Sequence, residues 1–131
     1  MPVAARLWDI ALIALGGALG ALARWSLASI VQNNHEFPIG TLVVNVLGSL
    51  LLGFVLGAAS LYGAFTREQR LLLATGFAGA FTTFSTFMYE SLMLLVEYSA
   101  AYAIAYIGLS ISLGLAAVYL GYTLAAMVYK P

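Results

Sequence analysis

Two long stretches of the sequence contain no charged residue, and they limit strongly how the chain can fold. They run over residues 37–66 and 98–129. Each is longer than the ~20 residues with which an α-helix crosses the hydrocarbon core of a bilayer. Of the 131 residues, 63% are hydrophobic and only 8% are charged, whereas a soluble domain carries about 25% charged residues. The chain is therefore predicted to be an all-α integral membrane protein.

Hydrophobic runs and the polar residues between them predict four membrane spans. They lie near 8–31, 38–62, 70–96 and 100–129. No strand pattern or linker separates them, so we predict a single transmembrane domain over residues 1–131. The first run is also similar to a signal peptide, but its apolar residues continue after Arg24, which favours a span.

Two local patterns add detail to this prediction. Thr66 followed by Gln69 is typical of a helix start, because the two residues can form a capping box. Glycines four residues apart, such as Gly16 and Gly20 in the first span, are typical of close contact between helices.

The composition excludes several classes of function. Five basic residues and a net charge of zero provide no cluster of Lys and Arg for nucleic-acid phosphates. The sequence has no cysteine and a single histidine, His35, so thiolate metal sites and Ser-His-Asp catalysis lack their main components. It also has no glycine-rich phosphate loop and no carboxylate cluster for metal-assisted hydrolysis. We therefore expect neither an enzyme nor a nucleic-acid-binding protein.

The basic residues predict the orientation of the chain. Four spans place both termini and the 63–69 connector on the same side of the membrane. That side holds every basic residue except Arg24, namely Arg6, Arg67, Arg70 and Lys130. Because loops rich in Lys and Arg stay in the cytoplasm, this side is predicted to be cytoplasmic.

Three polar residues are predicted to lie at the same depth, about 10 Å below the outer surface. They are Arg24 in the first span, Asn45 in the second and Glu90 in the third. An ionised side chain in a span must be paired, reach the interface or face water. Arg24 and Glu90 are therefore candidate partners, with snorkelling of Arg24 as the alternative. Asn45 has two donors and one acceptor, suited either to a hydrogen bond between helices or to a permeating ion.

The third span has an unusual composition near its centre. Residues 76–87 contain two glycines, four phenylalanines and four hydroxyl side chains. Glycine and β-branched threonine weaken a helix, so the pattern fits a break near mid-membrane. It also fits an intact helix whose hydroxyls bond to the preceding turn. In a broken helix, the freed carbonyls need protein, water or a bound cation as partners.

Three sequence strings together resemble those of a known family. They are Gly16-Gly17 with Gly20-Ala21 and Arg24-Trp25, GTLVVN over 40–45, and GFAGAFTTFSTF over 76–87. The combination resembles the Fluc (CrcB) fluoride channels over all four spans. The resemblance implies a dual-topology dimer of two antiparallel four-helix subunits with two pores, in which the third helix of each subunit is broken near mid-membrane.

The resemblance also implies a set of functional residues. A structural Na⁺ at the dimer centre would be held by the backbone carbonyls of Gly79 and Thr82. The residues at the family's pore positions are Asn45, Phe84, Phe87, Tyr106 and Ser110. The residues at its vestibule or structural polar positions are Arg24, Thr41 and Glu90.

The chemistry of fluoride agrees with these assignments. Fluoride is small and strongly hydrated, so a selective pore must replace its water with oriented donors, for which Thr83 and Ser85 are further candidates. The edge of a phenylalanine ring also favours an anion. Hydrogen fluoride enters a cell as a neutral acid and dissociates there, and a negative-inside potential worth ~2.3 kcal/mol per 100 mV drives the anion out. The expected function is passive export of fluoride across the plasma or inner membrane, which would give fluoride resistance.

Alternatives remain for both assembly and function. A chain that inserts in both orientations should carry balanced Lys and Arg, whereas this chain carries four on one side and none on the other. It forms either an antiparallel homodimer despite this bias or a pair with an oppositely biased homologue. The main alternative function is a small proton-coupled exporter of organic cations, with Glu90 as its membrane carboxylate. An accessory subunit without transport activity is a third interpretation.

Overall fold

The structure, a computed structural model, describes residues 3–130. Within this part, four helical stretches are long and apolar enough to cross a membrane. They are α1 (Val3–Gln32), α2 (Ile39–Tyr62), a third span built from α3 (67–81) and α4 (84–98), and α5 (Ala100–Tyr129). The four predicted spans are confirmed, with limits that shift by a few residues. Positions 1–2 and 131 of the predicted domain lie outside the described residues.

Local sequence signals set the ends of the helices. Gly63 closes α2 in the left-handed conformation (φ 63°), which glycine adopts without strain. The predicted capping box at the start of α3 is confirmed, because Thr66 Oγ1 accepts from the Gln69 N–H and Gln69 Oε1 accepts from the Thr66 N–H. Ser99 caps α5 by accepting from the N–H of Tyr102. Because these signals end one helix and start the next within a few residues, the connectors between the spans are short.

The helical path of the third span is interrupted between α3 and α4. α3 ends at Phe81, Thr82 (φ −86°, ψ 160°) and Thr83 (φ −150°, ψ 118°) are extended, and α4 begins at Phe84. The Thr83 hydroxyl caps α4 by accepting from the N–H of Thr86. Hydrogen bonds of the π type run through the segments Leu71–Ala78 and Leu94–Tyr98.

Glycines bring pairs of helices into backbone contact. α1 lies against α3, where a Cβ added to Gly16 would overlap the carbonyl oxygen of Leu72. Gly20, one turn later, has the same kind of neighbour. α2 lies against α5, where Gly53 faces the carbonyl oxygen of Val118 in the same way. The predicted role of these glycines in helix packing is confirmed.

The outward surface of the helices is strongly apolar. Leu15, Leu19 and Leu22 of α1 are each more than half exposed, as are Ile104 and Tyr119 of α5. Large exposed apolar surfaces are rare on soluble monomers and mark contact with a membrane or another subunit. The surface therefore fits a helical bundle inside a bilayer.

Candidate functional site

Asn45 joins α2 to the interruption of the third span. Its Nδ2 donates to the carbonyl oxygen of Thr83 (3.1 Å), and its Oδ1 accepts from the N–H of Thr83 (2.8 Å). The side chain thus satisfies both backbone groups of an extended residue at membrane depth, where unpaired backbone groups are costly. The contact to the carbonyl uses only one of the two N–H groups of the amide.

The interruption redirects the donors of two backbone carbonyls. In a continuous helix, the N–H of Thr83 would bond to the carbonyl oxygen of Gly79. The N–H of Thr86 would bond in the same way to that of Thr82. Instead, the Thr83 N–H donates to Asn45, and the Thr86 N–H donates to Thr83 Oγ1 (3.3 Å). The carbonyls of Gly79 and Thr82 have therefore lost their helical donors.

A cavity of about 260 Å³ lies beside the interruption. Phe84 and Phe87 line it, with ring centroids 6.1 Å apart in an edge-to-face arrangement. Phe84 is 73% exposed in the single subunit, whereas Phe87 is 7% exposed. The other lining residues are Asn45, Gly48, Ser49, Leu52, Ala74, Ala78, Gly79, Thr82 and Thr83. The structure thus brings four of the predicted pore residues to one cavity.

Glu90 accepts hydrogen bonds from two other helices. Thr41 Oγ1 on α2 donates to Oε1 (2.7 Å), and the Tyr106 hydroxyl on α5 donates to Oε2 (2.7 Å). Tyr106 is fully buried, and its ring centroid lies 5.2 Å from that of Phe87. One network therefore connects α2, α4 and α5 with the aromatic pair of the cavity.

Pairing of Arg24 with Glu90 is one of the two arrangements that the sequence leaves open for Arg24, and it does not occur within the described residues of the single subunit. Within residues 3–130, no ion pair joins them. Glu90 accepts one hydrogen bond on each oxygen, from the hydroxyls of Thr41 and Tyr106. Arg24 instead lines a different cavity of about 220 Å³, together with Thr41 and Thr83.

Three of the predicted pore residues do not line the cavity beside the interruption, namely Tyr106, Ser85 and Ser110. Ser85 is exposed on α4, and Ser110 lies on α5 one turn after Tyr106. Ser110 Oγ is buried and has no hydrogen-bond partner among the described residues, which is unusual for a buried hydroxyl. Conversely, Ser49 lines the cavity although the sequence analysis does not single it out. Its spacing of four residues from Asn45 is the signal that places it on the same helix face.

Replacing Tyr106 with phenylalanine is expected to lower the free energy of unfolding by about 1–3 kcal/mol. The change removes the hydroxyl that donates to Glu90 Oε2 and keeps the buried ring. A denaturant titration in detergent micelles, followed by circular dichroism, measures the free energy of unfolding. Tyr102→Phe is the control, because Tyr102 lies one turn earlier on α5 and is half exposed. Equal losses in the two variants would contradict a stabilising role of the network.

Comparison with known proteins gives one consistent family. The family model described as CrcB-like protein, Camphor Resistance (CrcB), matches residues 11–122. A fluoride-specific ion channel FluC of Methylobacillus flagellatus is 42% identical over 127 residues, which cover 95% of this chain and 99% of that protein. The protein of the same name from Thermus thermophilus is 49% identical over 115 residues, which cover 86% of this chain and 91% of that protein.

A third relative is similar over a comparable length. Fluoride-specific ion channel FluC 1 of Methanosarcina acetivorans is 45% identical over 116 residues, 88% of each chain. The family model covers most of the chain, including α2 and both halves of the third span. The resemblance seen in the sequence strings is thereby confirmed. This chain, with its four apolar spans, is a multi-pass membrane protein that belongs to the CrcB family.

Proposed function

We propose that this chain is a fluoride-selective passive channel that exports cytoplasmic fluoride and so protects the cell from fluoride toxicity. The similar proteins are named fluoride-specific ion channels. The observation that carries the proposal is the Asn45–Thr83 pair, which fixes an amide donor beside the cavity lined by Phe84 and Phe87. A channel moves an ion without chemical conversion, so this function is not enzymatic.

The residues at this cavity suit a strongly hydrated anion. Asn45 has a second N–H beyond the one it donates to Thr83, and the ring edges of Phe84 and Phe87 carry positive quadrupole density. No cationic side chain is among the lining residues within the described part of the chain. This supports conduction, because an ion must bind weakly enough to leave.

The channel is proposed to be an antiparallel dimer. Phe84 lines the cavity and yet is 73% exposed in the single subunit, so the cavity wall is incomplete without a second subunit. An inverted copy would also supply polar side chains to the half of the membrane that lacks Asn45 and Glu90. We favour a homodimer because one chain carries both Asn45 and the Phe84–Phe87 pair. A partner homologue of opposite charge bias is the alternative.

A structural Na⁺ is proposed at the centre of this dimer, where the third span would act as a broken helix. The carbonyls of Gly79 and Thr82 would hold the ion. Two observations support this site. The N–H groups that would bond to these carbonyls in a continuous helix donate to side-chain oxygens instead. Carbonyls that lose their donors within a membrane need another partner. The residues present fit such an ion, since carbonyl oxygens suit hard cations. Bound Na⁺ would supply positive charge to these carbonyls and link the two subunits.

Efflux of fluoride from liposomes tests the proposed function. The purified chain alone is reconstituted into liposomes loaded with potassium fluoride or potassium chloride, a potassium ionophore starts the efflux, and ion-selective electrodes follow it. We expect fluoride to leave at least about a hundredfold faster than chloride, a difference in barrier of about 2.7 kcal/mol. Liposomes without protein are the control.

Two results would reject the proposed homomeric channel, one from this assay and one from a parallel assay of organic-cation uptake driven by a proton gradient. If inserted protein releases neither ion, the chain is not a homomeric channel. If it transports organic cations in exchange for protons and does not release fluoride, it is an exporter, the alternative suggested by the membrane carboxyl group of Glu90.

A further inference from the structure

Two cavities lie end to end along one face of α2. The cavity beside the interruption reaches from Asn45 to Leu52. A second cavity, of about 450 Å³, is also lined by Leu52 and continues along α2 to Ser60. At 1.5 Å per residue, the helix rises ~22 Å between Asn45 and Ser60. We refer to the two cavities together as the α2–α3 groove.

Small residues of α3 leave space in the first cavity, where Ala74 and Ala78 lie opposite α2. In the second cavity, Val118 and Tyr122 of α5 form the wall beside α2 and pack against Gly53 and Gly57. Arg70 lies one turn before Ala74 and lines the second cavity at the cytoplasmic end of α3. The groove therefore runs from Arg70 at the predicted cytoplasmic surface to the polar pair at the interruption.

Arg70 supplies a positive charge at the cytoplasmic end of the α2–α3 groove. Its side chain is half-buried. In the part of the chain that the structure describes, the ion pair joins a different arginine, Arg67, to Asp9, and none forms between Arg70 and a carboxylate. Because arginine stays protonated in proteins, this charge is available to an anion in the groove.

We propose that Arg70 concentrates fluoride at the cytoplasmic mouth of the α2–α3 groove, from which the ion moves towards Asn45. This inference rests on the proposed channel function. A charge in a cleft with low-dielectric walls raises the local concentration of ions of opposite sign. Arg70 lies at the hydrated end of the groove, so it attracts fluoride without holding it at the narrow region beside Asn45, where tight binding would slow conduction.

Lipid phosphate is the competing ligand for an arginine at this height in the membrane. The far end of the groove favours fluoride, because it is formed by the polar groups of Asn45 and Thr83. A lipid tail that followed its headgroup into the groove would meet these polar groups. The test therefore begins in a neutral bilayer.

Fluoride efflux at two ionic strengths tests the role of Arg70. Wild type, Arg70→Gln, Arg70→Lys and the control Arg6→Gln are reconstituted in phosphatidylcholine liposomes. Arg6 lies on α1, on the same predicted side, and lines neither cavity of the groove. Potassium gluconate sets the ionic strength to about 10 mM or about 1 M, at which the Debye length is about 30 Å or 3 Å.

At the low ionic strength, Arg70→Gln is expected to release fluoride about three- to tenfold more slowly than wild type. At the high ionic strength, the two are expected to be equal, which also shows that the variant is folded. Arg70→Lys, which keeps the charge, and Arg6→Gln are expected to match wild type under both conditions.

Three results would overturn the inference while leaving the channel function intact. One is an unchanged rate for Arg70→Gln at low ionic strength in an assay where wild type conducts fluoride. The second is an equal loss at both ionic strengths, which would give Arg70 a structural role. The third is a loss seen only after phosphatidylglycerol is added to the bilayer, which would assign Arg70 to lipid phosphate. Absence of fluoride efflux from wild type would instead reject the proposed homomeric channel itself.

Discussion

Replacing Phe84 with isoleucine is expected to slow fluoride efflux about a hundredfold or more, corresponding to a barrier higher by about 2.7 kcal/mol. Phe84 is 73% exposed in the single subunit, so loss of its ring removes little packing within the subunit. It nevertheless lines the cavity that contains Asn45, and isoleucine has no ring edge to face an anion. The liposome assay with a fluoride electrode measures the effect.

Tyr89→Ile is the matched control for this variant. Tyr89 lies on the same helix, is 64% exposed and lines neither the cavity that contains Asn45 nor those that contain Arg24 or Arg70. Its replacement by isoleucine is expected to change fluoride efflux by less than about twofold, as is usual for a surface position. Equal losses of efflux in the two variants would remove Phe84 from the ion path. Circular dichroism and gel filtration of both variants establish that each is folded.

The sequence predicts the spans well because their signals are local. A run of apolar residues longer than the bilayer core requires a helix whatever its neighbours are. The capping box of Thr66 and Gln69 depends only on residues within one helical turn. The composition of residues 76–87 is also local, but it fits an intact helix as well as a break, so it does not decide between them.

Side-chain partners are harder to predict, because depth in the membrane does not give the direction a residue faces. Counting residues from the ends of the spans places Arg24 and Glu90 at one height. It does not say which way each helix is rotated, and Glu90 in fact turns to Thr41 and Tyr106.

The Asn45–Thr83 pair illustrates a second limit of the sequence. The two residues lie 38 positions apart, and the acceptor and donor on Thr83 are backbone groups. No residue type in the sequence indicates that a side chain will bond to the backbone of a distant residue. Only the meeting of α2 with the interrupted third span shows that Asn45 bonds to the backbone of the interruption.

Replacement of Gly16 by alanine is expected to lower the free energy of unfolding by about 3 kcal/mol, whereas Gly17→Ala is expected to leave it unchanged or raise it by up to about 1 kcal/mol. The Cβ of an alanine at position 16 would overlap the carbonyl oxygen of Leu72 and lie 2.9 Å from the backbone nitrogen of Phe77. Both neighbours are backbone atoms of α3, so α1 and α3 must move apart. A Cβ at position 17 would meet no atom within 4 Å.

The adjacent glycines make a matched pair, because both substitutions add one methyl group to the same helix at nearly the same depth. Both variants gain the same helix propensity. The difference between their free energies of unfolding therefore isolates the contact of α1 with α3. Denaturant titration of the two variants in the same detergent, followed by circular dichroism, measures this difference. If Gly16→Ala is as stable as Gly17→Ala, backbone contact between α1 and α3 does not hold the subunit together. A selective loss at Gly16 would instead show that α1 is fixed against α3, the half of the third span that carries Arg70 and ends at the interruption.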